Sequence, residues 1–211
     1  RSGQAAAHTR MLGWARELAR RGFVTLAMTQ RGLDAREPPI NVQSNLLLAS
    51  GRTGMGAVLH EIRQAVTLLQ ERPDVDPARI GATGMSFGGI TSFYVWIVGV
   101  GSVEVFQRAD SPAYHGTYWW IPQMLAKGDQ ADFAAAMAPR PLFVWAPTED
   151  IGMPREGVER FAAAVRPAYE RAGRPEAFVL RQPPGEHSFT VEAFEAMTAF
   201  FRETFRLPAR P

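Results

Sequence analysis

With 211 residues, 46% of them hydrophobic and 21% charged, the chain has the length and balance of one ordinary globular domain. There are 23 basic residues, all arginine except Lys127, against 21 acidic ones, a net charge of +2. That is too small a field to gather nucleic acid or anionic lipid. There is no cysteine, which excludes disulfides, thiolate metal centres and a cysteine nucleophile and leaves the compartment open. The longest apolar stretch, residues 90–100, is broken by Thr91, Ser92, Tyr94 and Gly99. It falls short of the roughly 20 residues that a membrane helix needs. The sequence starts at Arg1, and nothing ahead of Met11 has the pattern of a signal peptide.

In chain order, Met11, Leu12, Trp14, Ala15, Leu18 and Ala19 follow helical spacing and predict a helix over residues 5–20, ended by Gly22. Residues 23–28, Phe-Val-Thr-Leu-Ala-Met, read as a short buried strand, and residues 31–45, rich in Gly, Pro and Asn, as a loop. Val58, Leu59, Ile62, Ala65, Val66 and Leu69 line one face of a helix over 55–71, closed by Pro73 and Pro77. Residues 79–84 read as a strand running into a sharp turn, with a helix starting after Ser86 and a weaker strand over 102–106. Residues 107–128 are irregular and aromatic. Strands over 141–145 and 177–180 then alternate with helices over 158–172 and 191–205. Alternation of this kind predicts an α/β domain with a mostly parallel sheet and helices on both faces. No repeat or linker divides the chain, so residues 1–211 read as one domain.

The string Gly84-Met85-Ser86-Phe87-Gly88, followed by Gly89, fits G-x-S-x-G between an expected strand and an expected helix. Such a turn exposes the serine hydroxyl and sets the first N–H groups of the helix beside it, where negative charge develops during acyl transfer. A serine hydroxyl needs a base, and the chain has four histidines: His8, His60, His115 and His187. His8 lies near the start, His60 inside an amphipathic helix and His115 in the aromatic segment. His187 follows the last strand, in Pro183-Pro184-Gly185-Glu186-His187-Ser188-Phe189. A carboxylate to orient the imidazole is supplied by Asp150 after the strand at 141–145, with Glu149 as its adjacent rival. The chain order Ser86, Asp150, His187 is the order of α/β-hydrolases.

Several segments together resemble the serine α/β-hydrolases of the dienelactone hydrolase, acetyl-xylan-esterase-like and prolyl-oligopeptidase-like group. They are Leu18-Ala19-Arg20-Arg21-Gly22-Phe23-Val24, the run from Asp76-Pro77 through the elbow to Gly89, Ala138-Pro139-Arg140-Pro141-Leu142, and Gly185-Glu186-His187-Ser188-Phe189. The resemblance implies an α/β-hydrolase fold with Ser86 as nucleophile, His187 as base and Asp150 as acid. It also implies the Phe87 backbone N–H as one oxyanion donor. In the group, the first strands and a His-Gly-type loop carrying the second donor precede the position of Arg1. One of those strands lies between the segments matching 23–28 and 79–84. The N-terminal part of the fold is therefore expected to be incomplete and the chain to be a fragment of a longer one.

Tyr118, Trp119 and Trp120 lie between the elbow and the acid, where they could wall an apolar substrate pocket or simply pack. No metal-ligand spacing or phosphate-binding loop is visible. The expectation is a serine hydrolase that cleaves small-molecule carboxylic esters through an acyl-enzyme, without cofactor or metal. Its rivals are a peptidase of the prolyl-oligopeptidase type and a non-catalytic α/β-hydrolase-like binding module. The oligomeric state is not legible.

Overall fold

The computed structural model describes residues 13–33, 36, 38–95 and 116–208. In chain order the elements are α1 (Trp14–Arg20), α2 (Ile40–Ala49), α3 (Gly54–Gln70), α4 (Phe87–Val95), α5 (Gln130–Ala135), β1 (Leu142–Trp145), α6 (Arg155–Arg171), β2 (Phe178–Arg181) and α7 (Val191–Thr204). Two compact units emerge. One is drawn from residues 13–28, 65–81 and 188–208, the other from the described parts of 29–64 and 82–187.

The larger unit holds the sheet. β1 and β2 pair in parallel, in the register Leu142↔Phe178 to Trp145↔Arg181. All four residues of β1 are buried, as its unbroken apolar run requires of a parallel strand covered on both faces. α6 connects the strands. Val158, Phe161, Ala162, Val165, Ala168 and Tyr169 recur at helical spacing and are its buried stripe. On the outer face, Arg155 pairs with Glu159 and Arg160 with Glu156, at 2.7 and 2.8 Å. The stripe packs with Leu142, Val144 and Phe178 into one core cluster, where the Phe178 ring meets Tyr169 at 5.7 Å and Phe161 at 6.3 Å. The Tyr169 hydroxyl donates to the Arg140 carbonyl at 2.7 Å, and burial pushes its phenol up to about 12. α5 packs on α6. It opens with a capping box, the Asp129 side chain accepting from the Asp132 N–H and the Asp132 side chain from the Asp129 N–H. A second cluster joins Met55 of α3, Ile90 of α4 and Trp119, flanked by Leu59, Phe87, Tyr118 and Trp120.

In the smaller unit α1 and α7 are tied by Arg21, whose guanidinium donates twice to the Glu195 carboxylate at 2.6 Å and lies 4.6 Å over the Phe194 ring. Phe201 contacts Phe23 and stacks on Phe205. Gly81 lies so close to the Phe201 ring that a Cβ would stand 2.7 Å from it. Among the described residues no helix is long and apolar enough to cross a membrane.

Two expected strands differ. Residues 23–28 and 79–84 belong to no sheet. Over residues 23–26 exposure nevertheless alternates, Phe23 and Thr25 partly buried and Val24 and Leu26 exposed, the two-residue period of a strand, which ends there because Ala27 and Met28 are both exposed. β propensity becomes a strand only when a neighbour takes up the backbone N–H and C=O groups, and no described segment does so there. The segment expected as a loop over 31–45 includes the start of α2, which follows Pro38 and Pro39. Proline at a helix entrance is tolerated because the missing N–H has no intrahelical partner in any case. The helix expected over 5–20 is described from Trp14 onward. The strand expected over 102–106, with His8 and His115, lies outside the described residues.

Phe161 is fully buried at the centre of the larger core. Phe161→Ala is expected to cost about 3–5 kcal/mol, read as a lower urea midpoint at an unchanged slope.

Candidate active site

Ser86 directly precedes α4, as the sequence pattern predicts, but the segment before it, expected as a strand, has no sheet pairing. Its φ is +56°, in the left-handed region that a serine adopts only under constraint. Gly84 supplies that constraint. A Cβ on it would stand 2.3 Å from both the carbonyl carbon and the oxygen of Gly88, so two stretches of backbone touch where no side chain fits. Gly88 donates back to the Met85 carbonyl at 2.9 Å, and Ile90 to that of Ser86 at 3.0 Å. The turn leaves Ser86 exposed and places the Phe87 N–H at a helix N-terminus, where the first N–H groups lack intrahelical partners. Gln30 braces the helix from outside. Its amide donates to the Thr91 hydroxyl at 2.5 Å, and that hydroxyl bonds the Phe87 and Gly88 carbonyls.

Asp150 and His187 are brought together by the sheet. Beyond the last paired residues, Ala146 donates to the Arg181 carbonyl, Thr148 to that of Pro183 and Glu149 to that of Gly185, each at 2.9 Å. The loop after β1 and the loop after β2 therefore run side by side. At their ends Asp150 Oδ2 lies 2.7 Å from His187 Nδ1. The other carboxylate oxygen accepts the Gly152 N–H at 2.8 Å. The Asp150 side chain is 1% exposed and that of His187 36%. The hydrogen bond to Asp150 raises the imidazole pKa above its usual value, burial lowers it, and the carboxylate charge raises it further. The net direction is upward.

Of the two adjacent acids, Glu149 is exposed and Asp150 is the one that meets the imidazole. His60 lies exposed on α3. The Ser86 hydroxyl, in contrast, makes no hydrogen bond within the described residues, to His187 or otherwise. Gly152 was not anticipated from sequence. Its signal was there, because an Asp two residues before a glycine commonly bonds that backbone N–H.

The aromatic trio divides. Trp119 is buried in the second core cluster and Trp120 packs against it. Tyr118 faces Phe87 edge-on, with ring centroids 5.1 Å apart, and burial raises its phenol pKa. Both rings line a narrow pocket with Ile40, Ser44 and Leu47 of α2 and Val58 of α3. Arg31, at the rim, donates to Glu61 at 2.7 Å, and Arg36 takes both oxygens of the same carboxylate. The Arg36 bonds chiefly, with help from Arg31, hold the Glu61 carboxyl below the usual range.

A serine on a left-handed turn ahead of a helix, and an Asp–His pair beyond two parallel strands, are features of the serine α/β-hydrolase class. The chain belongs to the dienelactone hydrolase family, whose model matches residues 7–205. The Bacillus subtilis protein named "Putative hydrolase YtaP" is 25% identical over 196 residues, which is 86% of this chain and 65% of that protein. The solved structure of a "putative acetyl xylan esterase" from Bacteroides fragilis superposes with a TM-score of 0.65 at 18% identity, covering 80% of this chain and 48% of that one. A glucuronoyl esterase from Solibacter usitatus superposes at 0.59 and 19% identity, covering 87% of this chain and 53% of that one. At such identities the superpositions establish the α/β-hydrolase fold. The chain spans 65% of the curated relative and about half of these solved ones.

Two expectations follow. Asp150→Asn removes the charge and the acceptor that raise the imidazole pKa, so the His187 Cε1–H resonance should titrate closer to 6.5 than in the wild type. Because the folded-state pKa lies above the unfolded one, the pair's contribution to stability is complete below about pH 6.5 and fades as pH climbs through the raised value. Gly84→Ala sets a Cβ against backbone that cannot swing aside and should cost at least about 2 kcal/mol, measured by thermal or urea unfolding.

Proposed function

We propose that this protein is a serine hydrolase that cleaves small-molecule carboxylic esters. The observation that carries the reading is the buried Asp150 carboxylate on His187 Nδ1. With Nδ1 committed, Nε2 is the nitrogen available to take a proton, and the carboxylate stabilises the imidazolium that forms. Family membership supports the reading, as does the strained, exposed Ser86.

In this reading Ser86 Oγ attacks the ester carbonyl while His187 Nε2 removes its proton. The tetrahedral oxyanion is held by the Phe87 N–H and a second donor, and the alcohol leaves with the proton from His187. Water then attacks the acyl-enzyme, giving its proton to the same nitrogen, and the acid departs as Ser86 recovers its hydrogen. Drawing Ser86 and His187 together is the substrate-bound step, since catalytic hydrogen bonds commonly tighten only in the Michaelis complex. Asp150 acts through His187 and is a positioning residue. The neighbours named as acetyl xylan and glucuronoyl esterases make sugar esters the first substrates to try.

Ser86→Ala should abolish labelling by a fluorophosphonate probe and lower turnover of 4-nitrophenyl acetate by on the order of 10⁴-fold or more. Equal labelling and turnover in the variant would remove the catalytic reading. Turnover of amides but not esters would favour a peptidase. The base must be neutral to accept a proton, so kcat/KM should rise with pH through a midpoint above 6.5. In Asp150→Asn that midpoint should move down and the plateau fall by about 10⁴-fold.

A further inference from the structure

The backbone of Asp150 is held from both sides. Its N–H donates to the Pro147 carbonyl and its own carbonyl accepts the Met153 N–H, each at 3.2 Å, while the preceding Glu149 N–H bonds the Gly185 carbonyl at 2.9 Å. What stays free is the side chain, and a carboxylate turns readily about its last torsion. One bond within the turn stops it. The Gly152 N–H holds Oδ1 at 2.8 Å, which leaves Oδ2 facing His187 Nδ1 at 2.7 Å.

Position 152 is glycine for a reason of space. Its φ lies outside the left-handed region, so the backbone there makes no demand for glycine. A Cβ at 152 would stand 3.1 Å from Asp150 Oδ1, 3.5 Å from His187 Nδ1 and 3.8 Å from His187 Cε1. It would therefore lie against both members of the pair. The two ring separations are ordinary van der Waals contacts. The contact with Oδ1 is tighter than that, and it falls on the same oxygen that the Gly152 N–H holds, so the carboxylate would have to give by a few tenths of an ångström. The other acids of the two loops, Glu149 and Glu186, are exposed, and Asp150 is the carboxylate bonded to the imidazole.

We infer that Gly152 is a positioning residue, whose N–H sets the rotation of the Asp150 carboxylate and, through it, the tilt and tautomer of the His187 imidazole. Its missing side chain leaves room for the pair to meet. The role rests on the ester-hydrolase reading for its effect on rate, but not for its effect on the imidazole.

Gly152→Ala keeps the N–H and adds only the Cβ. It should lower kcat for 4-nitrophenyl acetate by about tenfold, because displacement of a catalytic group by a fraction of an ångström is costly. KM should stay within about twofold of wild type, since nothing that binds the ground state is removed. The His187 Cε1–H titration should move down toward the ordinary value of about 6.5. Ile151→Ala, a change at the exposed neighbour in the same turn, should leave that titration where it is in wild type. A wild-type His187 midpoint in Gly152→Ala, whatever its unfolding temperature, overturns the role, as does an equal displacement in Ile151→Ala. If Gly152→Ala does not fold, wild type decides alone: the Gly152 amide resonance should shift with the same midpoint as His187 Cε1–H, and an amide that does not follow it overturns the role. If Ser86→Ala keeps full turnover, the ester-hydrolase reading falls, and the His187 titration still judges Gly152.

Discussion

The site depends first on a bond between a buried carboxylate and an imidazole. A carboxylate that is 1% exposed would be prohibitively costly alone, since effective desolvation amounts to several kcal/mol per ion. Asp150 has partners on both oxygens, the Gly152 N–H on one and His187 on the other. Those partners stay in place because two parallel strands of only four residues each continue their pairing through the loops that follow them. The core formed by β1, β2, α5 and α6 thus acts directly on the geometry of the imidazole. Loosening the stripe of α6 loosens the strand ends, and with them the distance between acid and base.

The elbow obeys a different logic. Its shape is fixed by absence of side chain at Gly84, by two short backbone bonds, and by the Gln30–Thr91 brace on the first turn of α4. No charge is involved, so its rigidity is insensitive to pH over the range where His187 titrates. The site combines an element held by contact with one held by electrostatics, and the two can be perturbed separately.

Much of this was legible in the sequence. The elbow pattern carries its own steric meaning, so Gly84 and Ser86 could be placed without coordinates. The apolar run over residues 141–145 reads as a strand, and the structure shows its four paired residues Leu142–Trp145 all buried. Asp150 against Glu149 was not settled by residue type. In the structure Asp150 is the one whose carboxylate lies 2.7 Å from His187 Nδ1, while Glu149 is exposed. What sequence could not show was the fate of residues 23–28 and 79–84. Their side chains have strand character, but a strand is a property of two chain segments, and pairing is invisible in one. α2 was missed for a related reason: Asn41, Gln43, Ser44 and Asn45 dilute its apolar pattern, and its inward face includes a serine whose environment only tertiary structure reveals. Trp119 and Tyr118, neighbours in sequence, part because one faces the core and the other the pocket.

One further consequence concerns ions in the medium. Glu61 is shared by Arg31 and Arg36, so the guanidinium at the rim of the pocket already has a counter-charge within 3 Å. An incoming anion meets a rim whose positive field is largely cancelled at close range. Added salt, which screens exposed charges over about 10 Å at 0.1 M, therefore acts mainly on how firmly Arg31 and Arg36 are tethered to α3.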